Sequence, residues 1–244
     1  MTAVRFSGRN TKEIVRDPLN LFFGLGFPLV LLLLLSAIQA NVPVSIFEIE
    51  QLAPGMAVFG FSFIALFSAT LISNDRASSF MTRLLASPLT ASDFICGYAL
   101  PLLPMALAQS AVCLAAATAL GLRVGALELL VTLLTFIPAA LLFIAIGLIC
   151  GSLLTDKQVG GICGALLTNL SAWLSGTWFD LELVGGPFQT VAEALPFVHA
   201  VDAARAALSG DYGAIWPDLA WVLAYAGILS AVAVLIFRHK MYEK

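Results

Sequence analysis

The sequence predicts an all-α integral membrane protein with six transmembrane helices. Its 244 residues are 60% hydrophobic and 11% charged, whereas an average soluble protein is about 45–50% apolar and about 25% charged. Six apolar runs approach the length of about 20 residues that a helix needs to cross about 30 Å of hydrocarbon. Lysine and arginine gather in alternate connections between these runs. We therefore expect one membrane domain over residues 1–244, with no separate soluble domain.

The first predicted element is an N-terminal amphipathic helix over residues 1–17, lying at the membrane surface. Basic and apolar side chains are interleaved in it, which is typical of interfacial helices. They are the basic Arg5, Arg9, Lys12 and Arg16 and the apolar Val4, Phe6, Ile14 and Val15. Pro18 follows and suits the first turn of the next helix, where its missing N–H has no partner to lose.

The six apolar runs predict spans at 19–40, 53–72, 98–121, 129–154, 159–178 and 219–237. Six spans put both termini on one side of the membrane, and lysine and arginine identify that side because they stay in the cytoplasm during insertion. With cytoplasmic termini, ten of the twelve Lys and Arg lie inside, and only Arg123 and Arg205 lie outside. The sequence thus predicts a multi-pass protein of the cell membrane with its N- and C-termini in the cytoplasm.

Two connections are too long to be simple turns. The cytoplasmic one, 73–97, has Phe80, Leu84 and Leu85 at helical spacing, and it predicts a short helix between spans 2 and 3. Asp75, Ser78 or Ser79 would cap that helix, and Ser87-Pro88 would end it.

The second long connection, 179–217, lies outside in this topology. Its apolar stretches 190–197 and 201–208 are too short to cross a bilayer, and glycine and proline residues interrupt them. We expect short re-entrant helices there, before span 6.

Two side-chain patterns inside the spans are candidates for a substrate path. Span 2 carries aromatic residues at i+4 spacing, and span 5 carries polar and aromatic residues at the same spacing, so each set shares one helix face. The sets are Phe59, Phe63 and Phe67, and Asn169, Trp173 and Thr177. Packing between helices is the commoner role of such residues, and the sequence leaves both interpretations open. Small-residue pairs, Gly147 with Gly151 and Gly160 with Gly164, predict close helix packing within the subunit.

The chemistry that is absent from the sequence narrows the function. There is no G-x-x-x-x-G-K-[ST] phosphate loop, so any ATP would be hydrolysed on another chain. The predicted spans hold no ionisable residue near mid-depth, which counts against ion-coupled transport. His199 and His239 fall on opposite sides of the membrane, and the four cysteines lack metal-ligand spacing. We expect no catalytic residues, no metal and no cofactor bound by this chain.

The cytoplasmic connection reads NDRASSFMTRLLASPLTASDFICGYAL and contains Arg83, Leu84, Leu85, Ser87, Pro88, Thr90, Asp93 and Gly97. At these positions it resembles the type-2 membrane domains of ATP-binding-cassette exporters. It departs from the family pattern at Asn74, Asp75 and Arg76, in place of an acidic start, and at Tyr98, in place of lysine. A second resemblance follows span 5, in LSGTWFDLE and LPFVHAVDAARAALSGD. It rests on Ser175, Gly176, Pro196, Asp202, Arg205 and Gly210.

This resemblance implies a six-span half-transporter, the permease of an ABC exporter for a small or amphipathic substrate such as a drug, antibiotic, peptide or lipid-like molecule. Its partners would be cytoplasmic ATPase subunits, which bind ATP and Mg, and a second permease subunit, identical or homologous. The short cytoplasmic helix would couple ATP hydrolysis to motion of the spans. The coupling contacts it implies are Phe80, Met81, Arg83, Leu84, Leu85, Ser87 and Pro88.

Two other classes of protein remain open at this stage. An ion-coupled secondary carrier or channel could coordinate ions with backbone carbonyls and so dispense with intramembrane charge. A membrane scaffold or assembly subunit would bind partners without moving a substrate.

Overall fold

The computed structural model describes residues 3–42, 45–78 and 90–242, and these residues form helices and connecting turns without a β-strand. The helices are α1 (Ala3–Arg16), α2 (Pro18–Leu21, the π-helical Phe22–Gly26 and Phe27–Asn41), α3 (Ile49–Ala77), α4 (Ala91–Ala119), α5 (Ala126–Leu153), α6 (Asp156–Val159, the π-helical Gly160–Leu167 and Thr168–Leu174), α7 (Leu181–Val184), α8 (Gly186–Ala194), α9 (Pro196–Ser209) and α10 (Tyr212–Tyr242). A 3-10 turn, Ser45–Phe47, joins α2 to α3. The predicted all-α class is confirmed for the described residues.

Five helices in the described part of the chain are long and apolar enough to cross a membrane. They are Phe22–Asn41, Ile49–Ala77, Ala91–Ala119, Ala126–Leu153 and Tyr212–His239. They correspond to predicted spans 1, 2, 3, 4 and 6. The predicted span 159–178 corresponds to α6, which ends at Leu174 and is π-helical in its middle. The sixth crossing therefore stays a prediction.

Both ends of the predicted connection 73–97 are helical, and its cytoplasmic position stays a prediction. Helix α3 continues to Ala77 and α4 already begins at Ala91. Of the predicted caps, Asp75 lies within α3, and the Ser78 hydroxyl donates to the Asp75 carbonyl at 2.9 Å. A capping role for Ser78 stays a prediction, because the residues after it lie outside the described ones. Ser79 lies outside the described residues. Polar partners from other helices, described below, account for the extension of α3.

Helix α3 is the centre of the fold. Every residue in 52–65 is buried, and α3 packs against α4, α5 and α9. Its closest approach is to α5. A Cβ atom on Gly147 would overlap the Ala65 carbonyl oxygen, and one on Gly151 would overlap that of Ala69. The predicted packing role within the subunit is confirmed for this glycine pair. At Gly160, in contrast, no described atom beyond its chain neighbours and own helix backbone lies within 4 Å of the Cβ position.

Residues 179–217 contain the short helices α7, α8 and α9, and glycine residues mark two of their ends. Helix α8 starts after Gly185, at φ 60°, and α9 ends at Gly210, at φ 79°, both in the left-handed region that favours glycine. One side of α9 is buried against α3, α5 and α10. Re-entry of these helices into a membrane stays a prediction. The start of the last helix was predicted too late, since α10 begins at Tyr212 and contains Pro217.

Candidate functional site

The predicted coupling contacts Phe80, Met81, Arg83, Leu84, Leu85, Ser87 and Pro88 all lie outside the described residues. Their roles stay a prediction. The structure does describe the residues on both sides of 79–89, namely the last turns of α3 and the first turns of α4. These turns form a polar junction with α1 and with the end of α5.

Asp75 is the centre of this junction. Its carboxylate accepts two hydrogen bonds from the Arg9 guanidinium, at 2.6 and 2.8 Å, and one from the Tyr98 hydroxyl at 2.8 Å. Only 4% of the Asp75 side chain is exposed. A bidentate charged pair of this kind is strong and fixes orientation. One buried carboxylate thus joins α1, α3 and α4; we call Arg9, Asp75 and Tyr98 the Asp75 junction.

The sequence of α1 explains how Arg9 reaches Asp75. Phe6, Asn10 and Ile14 recur every four residues, are buried, and define the side of α1 that faces α4. The Phe6 ring meets the Tyr98 ring edge-on, with centroids 4.9 Å apart. A Cβ atom on Gly97 would overlap this Phe6 ring, so glycine is required there for the contact. The Asn10 amide also donates to the Gly97 carbonyl at 3.0 Å.

Glu13 is a second acid beside Arg9. Its carboxylate pairs with Arg9 at 2.7 Å, one helical turn along α1. Burial raises the pKa of Glu13, and the Arg9 charge opposes that rise. Arg9 is therefore held between a buried acid on α3 and a half-buried acid on its own helix.

Arg76, the neighbour of Asp75, holds a different helix. Its guanidinium donates to the carbonyls of Gly151 and Leu154, at 2.8 and 3.0 Å. These carbonyls lie at the C-terminus of α5, where a positive charge is favourable. The Ser73 hydroxyl reaches the Asp156 carboxylate at the start of α6, at 3.4 Å. The last turn of α3 is therefore joined to α1 and α4 on one side and to α5 and α6 on the other.

The motif residues Thr90 and Asp93 start α4 on the far side of 79–89. The Asp93 amide donates to the Thr90 hydroxyl at 3.2 Å, and the Thr90 amide donates to the Asp93 carboxylate at 3.0 Å. This reciprocal capping box satisfies two amides that the helix leaves unpaired. It explains why α4 begins seven residues before the predicted position 98.

The aromatic residues of the predicted substrate path are buried inside the subunit. Phe59 packs edge-on against Trp178, and Phe63 against Phe27, with ring centroids 5.9 and 5.4 Å apart. Phe67 is 3% exposed and lies beneath Gly24. In this conformation these rings contact other helices of the same chain, and their predicted role in a path is not tested.

The residues of the second predicted set, on span 5, do not all share one face. Asn169 and Trp173 share an exposed side of α6, where the Asn169 amide donates to the Ala165 carbonyl at 2.8 Å. Thr177 is fully buried, within 2.8 Å of the Ser175 hydroxyl. The prediction of one shared face is wrong for Thr177, because the helix ends at Leu174 and Gly176, at φ 65°, turns the chain.

Residues of the second motif build the opposite end of the fold. Arg205 on α9 donates to the Gly176 carbonyl at 3.0 Å and to the Gln51 carbonyl at 3.3 Å. It also pairs with Asp202 at 3.2 Å. Burial raises the pKa of Asp202, and the Arg205 charge opposes the rise. Arg205 thus ties α9 to the start of α3 and to the turn after α6, beside a cleft of about 840 Å³.

Sequence reasoning missed the Asp75 junction as a site. Asp75 was predicted only as a candidate helix cap and a departure from the family pattern, Tyr98 only as a departure, and Arg9 only as a basic residue. The available signal was that both ends of one connection depart from the family pattern, with an acid at one end and a tyrosine in place of lysine at the other. Their partner in α1 is 66 residues from Asp75, a separation that no local pattern encodes.

The fold and the site define a class of protein, the polytopic α-helical membrane proteins. The central helix α3 binds its neighbours at its C-terminal end, just before residues 79–89. The family model for the ABC-2 type transporter matches residues 5–209, from α1 to the end of α9. The chain belongs to this family, and the resemblance seen in the sequence is confirmed. It is therefore a membrane domain of an ATP-binding-cassette transporter, a class in which the ATPase lies on a separate subunit. Comparison with curated proteins gave no match.

Proposed function

We propose that this chain is the permease subunit of an ABC exporter, and that a separate ATPase subunit drives it through residues 79–89. The observation that supports the proposal is that the helices on both sides of this segment are held by polar contacts. Before the segment, Asp75 binds Arg9 of α1 and Arg76 binds the end of α5. After the segment, Tyr98 of α4 donates a hydrogen bond to Asp75. A force applied to 79–89 would therefore reach four helices through short, charged contacts, as required of a rigid lever.

The proposed topology has six spans, with α6 as the fifth. A continuous helical run from Asp156 to Leu174 rises about 28 Å, close to the roughly 30 Å of a hydrocarbon core. Six crossings keep both termini in the cytoplasm with ten of the twelve basic residues. The Asp75 junction then lies on the cytoplasmic side, where an ATPase would dock.

The exposed side of α6 supports the proposed substrate path and the second permease subunit. Gly160, Gly161, Ala165 and Asn169 are exposed there, and Trp173 is half exposed. An amide side chain facing lipid tails is unfavourable, so a polar face in a span is expected to line a cavity or to contact protein. We propose that a second copy or a homologous subunit covers this face, and that a small or amphipathic substrate is exported along it.

Copurification tests the ATPase partnership. The tagged chain, extracted from its native membrane in mild detergent, is expected to retain a subunit that carries a phosphate-loop motif and hydrolyses Mg-ATP. The variant Arg83→Glu/Leu84→Ala/Leu85→Ala is expected to lose that subunit at least tenfold while eluting as a monodisperse species. Mass spectrometry and ATP hydrolysis by the eluate give the readout.

Arg123→Glu serves as the control, because Arg123 is an exposed base on the predicted outer side. It should retain the partner fully. If the intact chain brings down no ATPase, the ion-coupled carrier and the scaffold become the better interpretations.

A further inference from the structure

Helix α1 presents a second amphipathic surface on the side that faces away from α4. Val4 and Val15 are 73% and 59% exposed, and Arg5, Lys12 and Arg16 are exposed beside them. At 100° per residue, the two valines fall within one narrow arc and the three bases fall in the adjoining arc. We call these five residues the outer face of α1.

This outer face is held in a fixed position. Phe6, Asn10 and Ile14, on the opposite side, are buried against α4, and Arg9 is bound to Asp75. The apolar side chains of Phe6 and Ile14 are therefore buried inside the protein and do not insert into a membrane. Any membrane contact by α1 must instead use the two valines and the three bases.

The outer face lies next to the first span. Only Asp17 separates α1 from Pro18, where α2 begins. Phe22 and Phe23 of α2 are 54% and 38% exposed and continue the apolar surface toward the span. A hollow of about 870 Å³ lies along α1 and ends at Pro18.

The hollow has an excess of positive charge. Arg5, Lys12 and Arg16 line it together with Arg9, against Glu13 and Asp17. Glu13 is paired with Arg9. At Gly8, in the middle of the helix, no atom outside the adjacent residues and backbone of α1 lies within 4 Å of the Cβ position, so the hollow is open there.

We propose that the outer face of α1 binds the phosphate headgroups of anionic phospholipids in the cytoplasmic leaflet. Charge complementarity carries the proposal: three bases would contact phosphates while the adjoining valines and Phe22 contact acyl chains. Basic side chains near an anionic membrane surface are attracted to it, and basic residues on an amphipathic helix next to a span are a recognised form of lipid contact. The inference rests on the proposed topology, which places α1 in the cytoplasm.

Lipid retention by the purified full chain tests the proposal. The chain is reconstituted in phosphatidylcholine vesicles that contain phosphatidylglycerol, extracted again, and analysed for bound lipid by native mass spectrometry. We expect enrichment of phosphatidylglycerol over phosphatidylcholine, and a roughly tenfold loss of that enrichment in Lys12→Gln/Arg16→Gln. The enrichment should fall as salt is raised, and free inorganic phosphate should displace little of the lipid because it lacks acyl chains.

The matched control, Arg123→Gln/Lys157→Gln, removes two exposed bases elsewhere and should retain the enrichment. Equal enrichment in the intact chain and in Lys12→Gln/Arg16→Gln overturns the proposal. The proposal is also overturned if Lys12→Gln/Arg16→Gln keeps its bound phosphatidylglycerol but loses a copurifying ATPase, because the outer face of α1 would then bind protein. No ATPase takes part in the lipid measurement, so its failure is distinct from failure of the proposed transport function.

Discussion

The variant Asp75→Asn is expected to lower the free energy of unfolding by about 1–3 kcal/mol, because it removes the buried charge that Arg9 and Tyr98 share and leaves Arg9 with Glu13 alone. The amide that replaces one carboxylate oxygen is itself a donor, and it would face donors from Arg9 and Tyr98. The Arg9 side chain is 34% exposed, so water compensates for part of the loss. Thermal unfolding of the detergent-solubilised chain measures the effect.

A double-mutant cycle separates the ion pair from a general effect on folding. Arg9→Gln and Asp75→Asn are expected to be non-additive, with a coupling energy above about 0.5 kcal/mol. Asp180→Asn, the same change at an exposed position, should be close to neutral. Additive effects of Arg9→Gln and Asp75→Asn would show that the two side chains do not act as a pair.

The variant Gly151→Val is expected to destabilise the fold by about 3 kcal/mol or more, at the upper end of overpacking effects. A Cβ atom at this position would lie 2.8 Å from the Ala69 Cα and would overlap the Ala69 carbonyl oxygen. Both are backbone atoms, so no rotamer change can relieve the clash, and α3 and α5 would have to separate. The fraction of monodisperse protein after extraction, and its midpoint of thermal unfolding, report the loss.

Gly227→Val is the matched control for this change. Gly227 lies within α10, and no atom outside its own stretch of helix backbone lies within 4 Å of its Cβ position, so it undergoes the same change in helix propensity without a clash. Similar unfolding midpoints for Gly151→Val and Gly227→Val would contradict the close contact of α3 with α5.

Predictions from the sequence were accurate where neighbouring residues alone determine a helix or its end. Apolar run length identified the helices that contain five of the six predicted spans, and Gly185 and Gly210 marked helix ends through their own backbone preference. Helix ends set by distant partners were missed. In the last turn of α3, Asp75 binds Arg9, which is 66 residues away in the sequence. Arg76 binds the carbonyl of Gly151, which is 75 residues away.

Spacing along a helix shows which residues share a face but not what covers that face. Phe59 and Phe63 do lie along one side of α3, yet Trp178 and Phe27 cover them. Asn169 and Trp173 lie on one side of α6, and no described residue buries them. Burial is a property of the packed helices, so the sequence pattern alone did not distinguish these two cases.

The pairing of Asp75 with Tyr98 shows how a departure from a family pattern can be read. Each substitution alone weakens the resemblance. Together they create a carboxylate and a hydroxyl at the two ends of one connection, and Arg9 completes the set. In this chain the two departures are therefore partners in one contact.

The most direct test of the central claim is the accessibility of α6 as a function of nucleotide. A cysteine is introduced as Asn169→Cys in a chain whose four native cysteines are replaced by serine, and the complex with its ATPase is reconstituted in vesicles. We predict that trapping with ATP and vanadate changes the rate of maleimide labelling several-fold and that ionophores leave this change intact. Leu223→Cys, on the exposed side of α10, should label at one rate throughout. A labelling rate at residue 169 that does not change with nucleotide but changes with an ion gradient would contradict ATP-driven transport by this chain.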